Sequence, residues 1–300
     1  MRVLVGTSDG LHQTGGDAAA SQGHSVAALA RGDRGWWAIL DERFLWRGDR
    51  ASWEPVTEHD GPALTCVLKA AGEVWVGTAE AHLLRLSGGR LEPVASFDRI
   101  DGSSDWYTPW GGPPDVRSLS AGPDGVVYAN VHVGGITRSP DRGTTWSPTI
   151  DIDTDVHRVL ANDETPGVVF AALGAGGLGV TSDGGDTWTF VTEGLHATYC
   201  RAVAIAGEWL ILSASAGPRG GRSALYRRPI EGGTFQRCTS GLPEWFRANI
   251  DSLCLDALGV TAAFGTEDGE VYVSSDSGGT WDLVEQDLSP VQCVLLAAER

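Results

Sequence analysis

Short apolar runs with the alternation typical of β-strands recur along the whole chain, separated by segments rich in Gly, Asp, Asn and Pro. The runs come in pairs joined at a bend, as in GEVWVGTAEAHLLRL (72–86) and GVVYANVHVGGITRS (125–139). One more short run precedes each pair, as in VRSLSA (116–121). β-Branched and aromatic residues dominate these runs, which favours strands over helices. With the segment after each pair, the pattern predicts four-stranded units of about 40–50 residues, the size of β-propeller blades.

One octet with the pattern S/T-x-D-x-G-x-T-W occurs three times, and its copies are 42 and 93 residues apart, about one and two periods. The copies are SPDRGTTW (139–146), TSDGGDTW (181–188) and SSDSGGTW (274–281). Eroded versions occupy the same place in other units, at WRGDRASW (46–53), LRLSGGRL (84–91) and RPIEGGTF (228–235). The octets therefore mark a repeated structural element.

The residue types of the octet are those of a tight turn. Ser139 and Asp141 can bond to the turn backbone, and Gly143 can adopt a positive φ without a Cβ clash. Trp146 returns to the strand, where its ring can pack beneath the hairpin. We therefore interpret the octets as structural elements and not as a binding site.

The two ends of the chain each hold part of a unit. The N-terminal MRVLVGTSDGLHQ matches the middle strands of a unit, and the C-terminal PVQCVLLAAER matches a first strand. Joined, they resemble residues 64–84, which predicts that one blade is shared between 1–20 and 290–300. The sequence thus predicts an all-β chain forming a single β-propeller domain over 1–300. Seven four-stranded blades fit best, with six or eight as alternatives.

The three octets resemble the Asp-box, or BNR repeat, of the sialidase-like β-propeller superfamily. In that superfamily the boxes lie on the turn between the third and fourth strands, away from the ligand face. The superfamily includes sialidases, xyloglucan-cleaving glycosidases, a sorting-receptor ectodomain and a photosystem assembly factor. The resemblance therefore implies a fold and leaves the activity open.

Composition excludes some partners. The net charge is −17, and Lys69 is the one lysine among 22 basic residues, so this acidic protein should repel nucleic acid. We find neither an apolar stretch of membrane-spanning length nor a signal-peptide pattern, and we expect a cytoplasmic protein without a membrane partner. The five cysteines are scattered, and we expect buried, reduced thiols.

Irregular sequence concentrates in the loops that should lie opposite the octets, and such insertions typically mark a binding face. Trp106, Tyr107 and Trp110 lie in the loop 96–115, and Trp245 lies in the loop 240–249. His132 occupies a bend equivalent to the extended loop 213–224. Aromatic side chains of this kind suit ligand binding, although they could instead plug a channel mouth.

Alignment of the first strands brings out a row of mostly polar residues where apolar ones would be expected. The row consists of Ala27, Thr65, Arg117, His157, Arg201, Asp251 and Gln292. Arg117 and Arg201 could clasp an anion, while His157 could move a proton. Asp251 could pair with them or act as a base. A structural belt of ion pairs with Asp115 and Asp155 is the other interpretation.

Two functions remain open at this point. The first is a non-catalytic ligand-binding or assembly propeller with a pocket, opposite the octets, for a small molecule or glycan that could be anionic. It could also take a protein partner, and it needs no cofactor. The second is a glycoside hydrolase that uses two opposed carboxylates, for which the candidates are Asp105, Asp115, Glu244 and Asp251. We predict no metal site, because His132, His157 and His196 belong to different blades.

Overall fold

The computed structural model describes residues 1–15, 21–50, 52–108 and 111–298, and their regular secondary structure is almost entirely β-strand. The strands in chain order are β1 (Arg2–Thr7), β2 (Leu11–Gln13), β3 (Val26–Arg31), β4 (Trp36–Leu40), β5 (Phe44–Gly48), β6 (Trp53–Glu58), β7 (Leu64–Ala70), β8 (Glu73–Thr78), β9 (Leu83–Ser87), β10 (Arg90–Pro93), β11 (Asp115–Ala121), β12 (Val127–His132), β13 (Gly135–Ser139), β14 (Ser147–Pro148), β15 (Val156–Ala161), β16 (Val169–Leu173), β17 (Gly177–Thr181), β18 (Thr189–Val191), β19 (Val203–Ala206), β20 (Trp209–Ala214), β21 (Ala224–Pro229), β22 (Gln236–Arg237), β23 (Leu255–Leu258), β24 (Thr261–Gly265), β25 (Val271–Ser274), β26 (Asp282–Glu285) and β27 (Val291–Ala297). The helical element in this part of the chain is a single 3-10 turn at Ser103–Asp105. Among the residues described, no helix has the length and apolar character needed to cross a bilayer.

The strands form seven antiparallel sheets, which are the blades of a β-propeller. Six sheets contain four strands that follow one another in the chain, beginning with β3, β7, β11, β15, β19 and β23. The seventh has the order β2-β1-β27 within the residues described, so both ends of the chain contribute to it. The predicted all-β class and seven blades are confirmed.

Pairing of β1 with β27 joins the two ends of the chain. Arg2 lies opposite Ala297, Val5 opposite Val294 and Gly6 opposite Cys293. This register confirms the predicted pairing of the N- and C-terminal segments. Because each strand covers the edge of the other, neither edge is left free to pair with another chain.

The three octets form the same hydrogen-bonded turn. In the first, Gly143 N donates to Ser139 Oγ over 2.7 Å, and Thr145 N donates to Asp141 Oδ1 over 2.8 Å. The Thr145 hydroxyl donates to the second carboxylate oxygen over 2.7 Å. Gly143 has a φ of 78°, which a glycine adopts without strain. The predicted roles of Ser, Asp and Gly in these turns are thus present in the structure.

Two compact units each contain a hydrophobic core. The first unit consists of residues 1–29, 172–178 and 190–300, and its core includes Phe264, Tyr272 and Trp281. The second unit consists of residues 30–171 and 179–189, and its core includes Trp75 and Phe97. All five cysteines are buried thiols, as expected. Whether the chain behaves as one domain stays a prediction.

A repeated contact fixes the start of several first strands. A side chain in or next to one sheet donates a hydrogen bond to a carbonyl at the start of the next first strand or in the segment leading into it. The donors and acceptors are Cys293 Sγ to Val26 O (3.4 Å), Cys66 Sγ to Val116 O (3.3 Å), Asn130 Nδ2 to Val156 O (2.6 Å), Ser213 Oγ to Ile250 O (3.1 Å) and Cys254 Sγ to Val291 O (3.4 Å). The next residue along each strand belongs to the polar row identified from the sequence.

Candidate functional site

The polar row points away from the core of its sheets. Val116 and Val156 are fully buried, whereas the Arg117 that follows Val116 keeps about a quarter of its side chain exposed. Successive side chains of a strand point to opposite faces, so the buried valine turns its neighbour outwards. His157 is the exception, since it is buried although it belongs to the row.

A cluster of two histidines, two aspartates and one arginine lies at the ends of β11, β12 and β15 in the second unit. The rings of His132 and His157 are 5.3 Å apart, and both histidines are buried. Asp155 Oδ1 lies 2.8 Å from His132 Nε2 and 3.3 Å from His157 Nε2. The expectation that separate blades keep these two histidines apart is therefore wrong. The bend at the end of β12 brings His132 against the neighbouring strand β15.

Asp115 and Arg117 complete this cluster. Asp115 Oδ1 lies 3.5 Å from His132 Nδ1, and Arg117 Nε lies 3.4 Å from Asp115 Oδ2. Arg117 Nη1 lies 3.3 Å from His132 Nε2. We name the five residues Asp115, Arg117, His132, Asp155 and His157 the His–Asp cluster. This cluster has features of both interpretations of the polar row. It contains ion pairs, as a structural belt would, and it brings several side-chain nitrogen and oxygen atoms close together, as a binding site would.

The charges of the His–Asp cluster shift the pKa values of its members. Burial alone raises the pKa of Asp115, but His132 and Arg117 outweigh that effect and bring the pKa below its usual value. Burial likewise raises the pKa of Asp155, and the two imidazoles and Arg117 outweigh it to lower that pKa. For His132, burial lowers the pKa, but Asp115 and Asp155 raise it above the usual value. The aspartates are therefore held in the ionised form.

Arg201 and Asp251 form a second group, in the first unit. Arg201 Nη1 donates to Asp251 Oδ2 over 2.8 Å, and Nη2 donates to the Tyr199 hydroxyl and the Pro218 carbonyl, each over 3.3 Å. The guanidinium also lies 5.5 Å from the Tyr199 ring centroid. Asn249 donates to the same Pro218 carbonyl over 3.1 Å, which ties the loops 213–224 and 240–249 together.

Trp245 is the centre of an aromatic and basic group in the same unit. Arg237 lies over its ring at 3.6 Å from the centroid, and Arg222 lies 5.9 Å from it on an exposed part of the loop. The ring of His196 is 4.7 Å from that of Trp245, and its Nδ1 is 2.7 Å from the Tyr226 hydroxyl. The predicted binding residue Trp245 thus lies against two arginines that the alignment of the first strands did not indicate.

The other predicted site residues occupy exposed loops. Tyr107 is 46% exposed, and its hydroxyl lies 3.3 Å from Asp153 Oδ1. Trp106 is partly buried against Phe97. Trp110 lies outside the described residues. Asp105 and Glu244 are exposed on their loops, so these two candidates for catalysis lack the enclosed surroundings of a typical general acid.

A cleft of about 610 Å³ lies in the second unit, and its lining residues do not belong to the loops that were predicted to bind a ligand. It opens at the turns that join β3 to β4 and β7 to β8. Its lining includes Arg34, Trp37, Arg47, Lys69 and Glu73. The Lys69 ammonium pairs with Asp33 over 3.3 Å. No sequence spacing indicated this cleft, because its residues come from two sheets whose packing brings them together.

Comparisons with known proteins show the fold. No family model matches the chain, and no curated protein matches it in sequence. The structure of YCF48 bound to D1 peptide is similar over 92% of this chain and 87% of that one, with a TM-score of 0.60 and 14% identity. The WD40 β-propeller domain of Doa1 covers 89% of this chain and 83% of its own, with a TM-score of 0.63 and 16% identity. The GH74 enzyme of Niastella koreensis gives a TM-score of 0.63 and 13% identity over 95% of this chain, which spans about half (47%) of the enzyme chain.

Proposed function

We propose that this chain is a non-catalytic binding propeller that holds an anionic segment of a partner polypeptide on the loops of its first unit. The observation that carries the proposal is a local reversal of charge. Residues 199–251 contain seven arginines, three glutamates and one aspartate, a net charge of +3 within a chain of −17. A basic surface on an acidic protein favours anions at that place, because it concentrates and orients them there.

Arg201 is held in an orientation that suits the binding of a carboxylate. Its guanidinium is held by the Tyr199 hydroxyl and the Pro218 carbonyl, so its orientation is fixed before a ligand arrives. Charge-assisted hydrogen bonds from an oriented guanidinium are among the stronger polar contacts in proteins. Asp251 already occupies this position, and its side chain is 54% exposed, so a carboxylate of the partner can replace it.

Trp245 with Arg222 and Arg237 supplies the second part of the surface. An aromatic ring stacked on guanidinium groups offers apolar area and positive charge together. Trp and Arg are both enriched among the residues that contribute most to binding between proteins. The likeness to YCF48 bound to D1 peptide supports a polypeptide as the ligand.

The arrangement of carboxylates favours binding over hydrolysis. A glycosidase needs one protonated and one ionised carboxyl group facing each other across the substrate. Asp251 is paired with Arg201 over 2.8 Å, and His132 and Arg117 lower the pKa of Asp115, which favours the ionised form of that carboxyl group. The likeness to GH74 enzymes is the reason to test hydrolysis of xyloglucan as the second candidate.

We also propose that the octets are Asp-boxes of the sialidase-like superfamily. The support is their common hydrogen-bonded turn at three separate places. Gly185 N donates to Thr181 Oγ1 over 3.0 Å, and Gly278 N donates to Ser274 Oγ over 2.8 Å, as in the first octet. This assignment concerns the fold family, and the binding proposal does not depend on it.

A labelled hexaglutamate peptide tests the binding function by fluorescence anisotropy at low and high salt. Arg201→Ala should weaken binding by at least about 10-fold, since hydrogen bonds to charged groups contribute about 1.5–3 kcal/mol. Asp251→Asn should strengthen it, because it removes the competing carboxylate. Arg43→Ala is the matched control, since Arg43 pairs with Glu58 (2.6 Å) and Asp60 (2.5 Å) in the second unit.

Three results would contradict the proposal. The first is an equal loss of hexaglutamate affinity in Arg201→Ala and Arg43→Ala, and the second is weaker binding by Asp251→Asn. The third is hydrolysis of xyloglucan by the wild-type chain that is lost when Asp251 or Asp115 is replaced. A polyhydroxylated probe such as a glucose oligomer, binding more tightly than hexaglutamate, would instead favour a glycan ligand.

A further inference from the structure

Three donor atoms in the His–Asp cluster converge on one point. His132 Nε2, Asp155 Oδ1 and His157 Nε2 all lie within 4.8 Å of one another, and two of the separations are 2.8 and 3.3 Å. Zinc binds nitrogen and oxygen ligands at about 2.0–2.2 Å, which places tetrahedral ligand atoms roughly 3.3 Å apart. We propose that His132, Asp155 and His157 bind a divalent first-row transition-metal ion, for which Zn²⁺ is the natural probe.

The chemistry of the donors fits such an ion. Imidazole nitrogen suits zinc, copper, iron and nickel, and one carboxylate adds a negative charge. Ca²⁺ and Mg²⁺ prefer all-oxygen sites with more ligands, so two histidines select against them. Three protein ligands leave a fourth position for water or for a group of a bound partner.

Burial holds the ligands in place without closing the site. The side chains of His132 and His157 are only 5% and 1% exposed, so packing fixes their rotamers. The side chain of Asp155 is 30% exposed, which gives an ion a path from solvent. Ligands that are already oriented lose little freedom on binding, which favours affinity.

Asp115 supplies the outer support that metal-binding histidines usually have. Its Oδ1 faces His132 Nδ1 at 3.5 Å, on the opposite side of the ring from the converging Nε2. A carboxylate on the far nitrogen favours the tautomer in which Nε2 carries the free electron pair, and it makes that nitrogen a better ligand.

Arg117 opposes the ion. Its Nη1 lies 3.3 Å from His132 Nε2, so a positive charge already stands beside the donor atoms. Binding of the ion therefore requires the guanidinium, whose side chain is 26% exposed, to turn towards solvent. The structure thus predicts that Arg117 and the ion compete for the position beside His132 Nε2, a consequence that a purely structural ion-pair belt does not have.

The test uses the full chain after treatment with a chelator, with Zn²⁺ followed by calorimetry and Co²⁺ followed by its visible absorption. We expect one equivalent to bind and Co²⁺ to give the spectrum of a low-coordinate N/O site. Changes to outer-shell residues typically lower metal affinity by about 10–100-fold, and His132→Ala, His157→Ala and Asp155→Asn should each lower the affinity for Zn²⁺ by more than that. The loss of affinity in Asp115→Asn should fall within that range, whereas Arg117→Gln should bind Zn²⁺ more tightly than the wild type does.

His82→Ala is the control, because His82 forms an exposed pair with Asp98 at 2.9 Å and should leave binding unchanged. If a ligand variant does not fold, nitrogen NMR of the labelled wild type decides, since Zn²⁺ should shift the Nε2 signals of two buried histidines. The proposal is overturned if the wild type binds no Zn²⁺ at millimolar concentration, if the ligand variants bind as well as it does, or if Arg117→Gln weakens binding. Because hexaglutamate binding concerns the first unit, its failure would leave this result unaffected.

Discussion

A carboxylate that accepts three hydrogen bonds lies in the second octet. Asp183 receives the Thr187 hydroxyl at 2.6 Å, the Thr181 hydroxyl at 2.7 Å and the Thr187 amide at 2.9 Å. These bonds hold the pKa of Asp183 well below its usual value of 3.8, and the bond from the Thr187 side chain has the largest effect. Bonds that favour the charged form lower a carboxyl pKa in this way. The same residue pattern lowers the pKa of Asp141 and Asp276.

This shift predicts the pH dependence of one substitution. Because the folded pKa lies below the unfolded one, Asp183 stabilises the fold fully above pH 3.8, and the stabilisation is lost as the pH falls through the folded pKa. Asp183→Asn should therefore lower the melting temperature at pH 7, and its difference from wild type should narrow below about pH 4. Thermal scans between pH 2 and 7 measure this, with the exposed Asp282→Asn as control. A difference that stays constant down to pH 2 would contradict it.

At the scale of elements, the octets share a turn but differ in how their tryptophans pack. Trp281 is 2% exposed, its ring lies 5.0 Å from that of Phe264, and its indole N–H donates to the Gly278 carbonyl over 3.2 Å. Trp188 is only partly buried, and its indole N–H donates to the Thr149 carbonyl over 3.0 Å. The turn could be predicted from the octet because its bonds are local. The burial of each tryptophan could not, because it depends on neighbouring strands.

Replacing Trp281 and replacing Trp188 should therefore lower the free energy of unfolding by different amounts. Trp281→Ala should lower the free energy of unfolding by about 3–5 kcal/mol, as expected for truncation of a buried aromatic side chain. Trp188→Ala should cost less, since part of its surface is already in contact with water. Chemical denaturation of both variants measures the difference. Equal losses would mean that the shared turn, and not the packing of the ring, determines the contribution.

At the scale of the whole chain, the strand pattern and the joining of the ends were predictable, whereas the groups of the candidate site were only partly so. The polar row could be found because it repeats at one position of each first strand. The proximity of His132 to His157 could not, since it arises from packing of the end of β12 against β15. The same holds for Arg237 over Trp245, which joins a strand to a loop.

Joining of the ends leads to the last prediction. Six of the seven residues of β27 are buried, and Val291, Val294 and Leu296 belong to the core of the first unit. Deletion of residues 291–300 would expose the edge of β1 and leave a cavity in that core, so it should cost several kcal/mol. Thermal and chemical unfolding of the truncated chain measure the loss, and Gln292→Ala, at an exposed position of the same strand, is the control. A synthetic peptide of residues 289–298 should restore part of the lost stability by pairing again with β1. Melting of the truncated chain within a few degrees of the full chain would show that β27 contributes little to closing the fold.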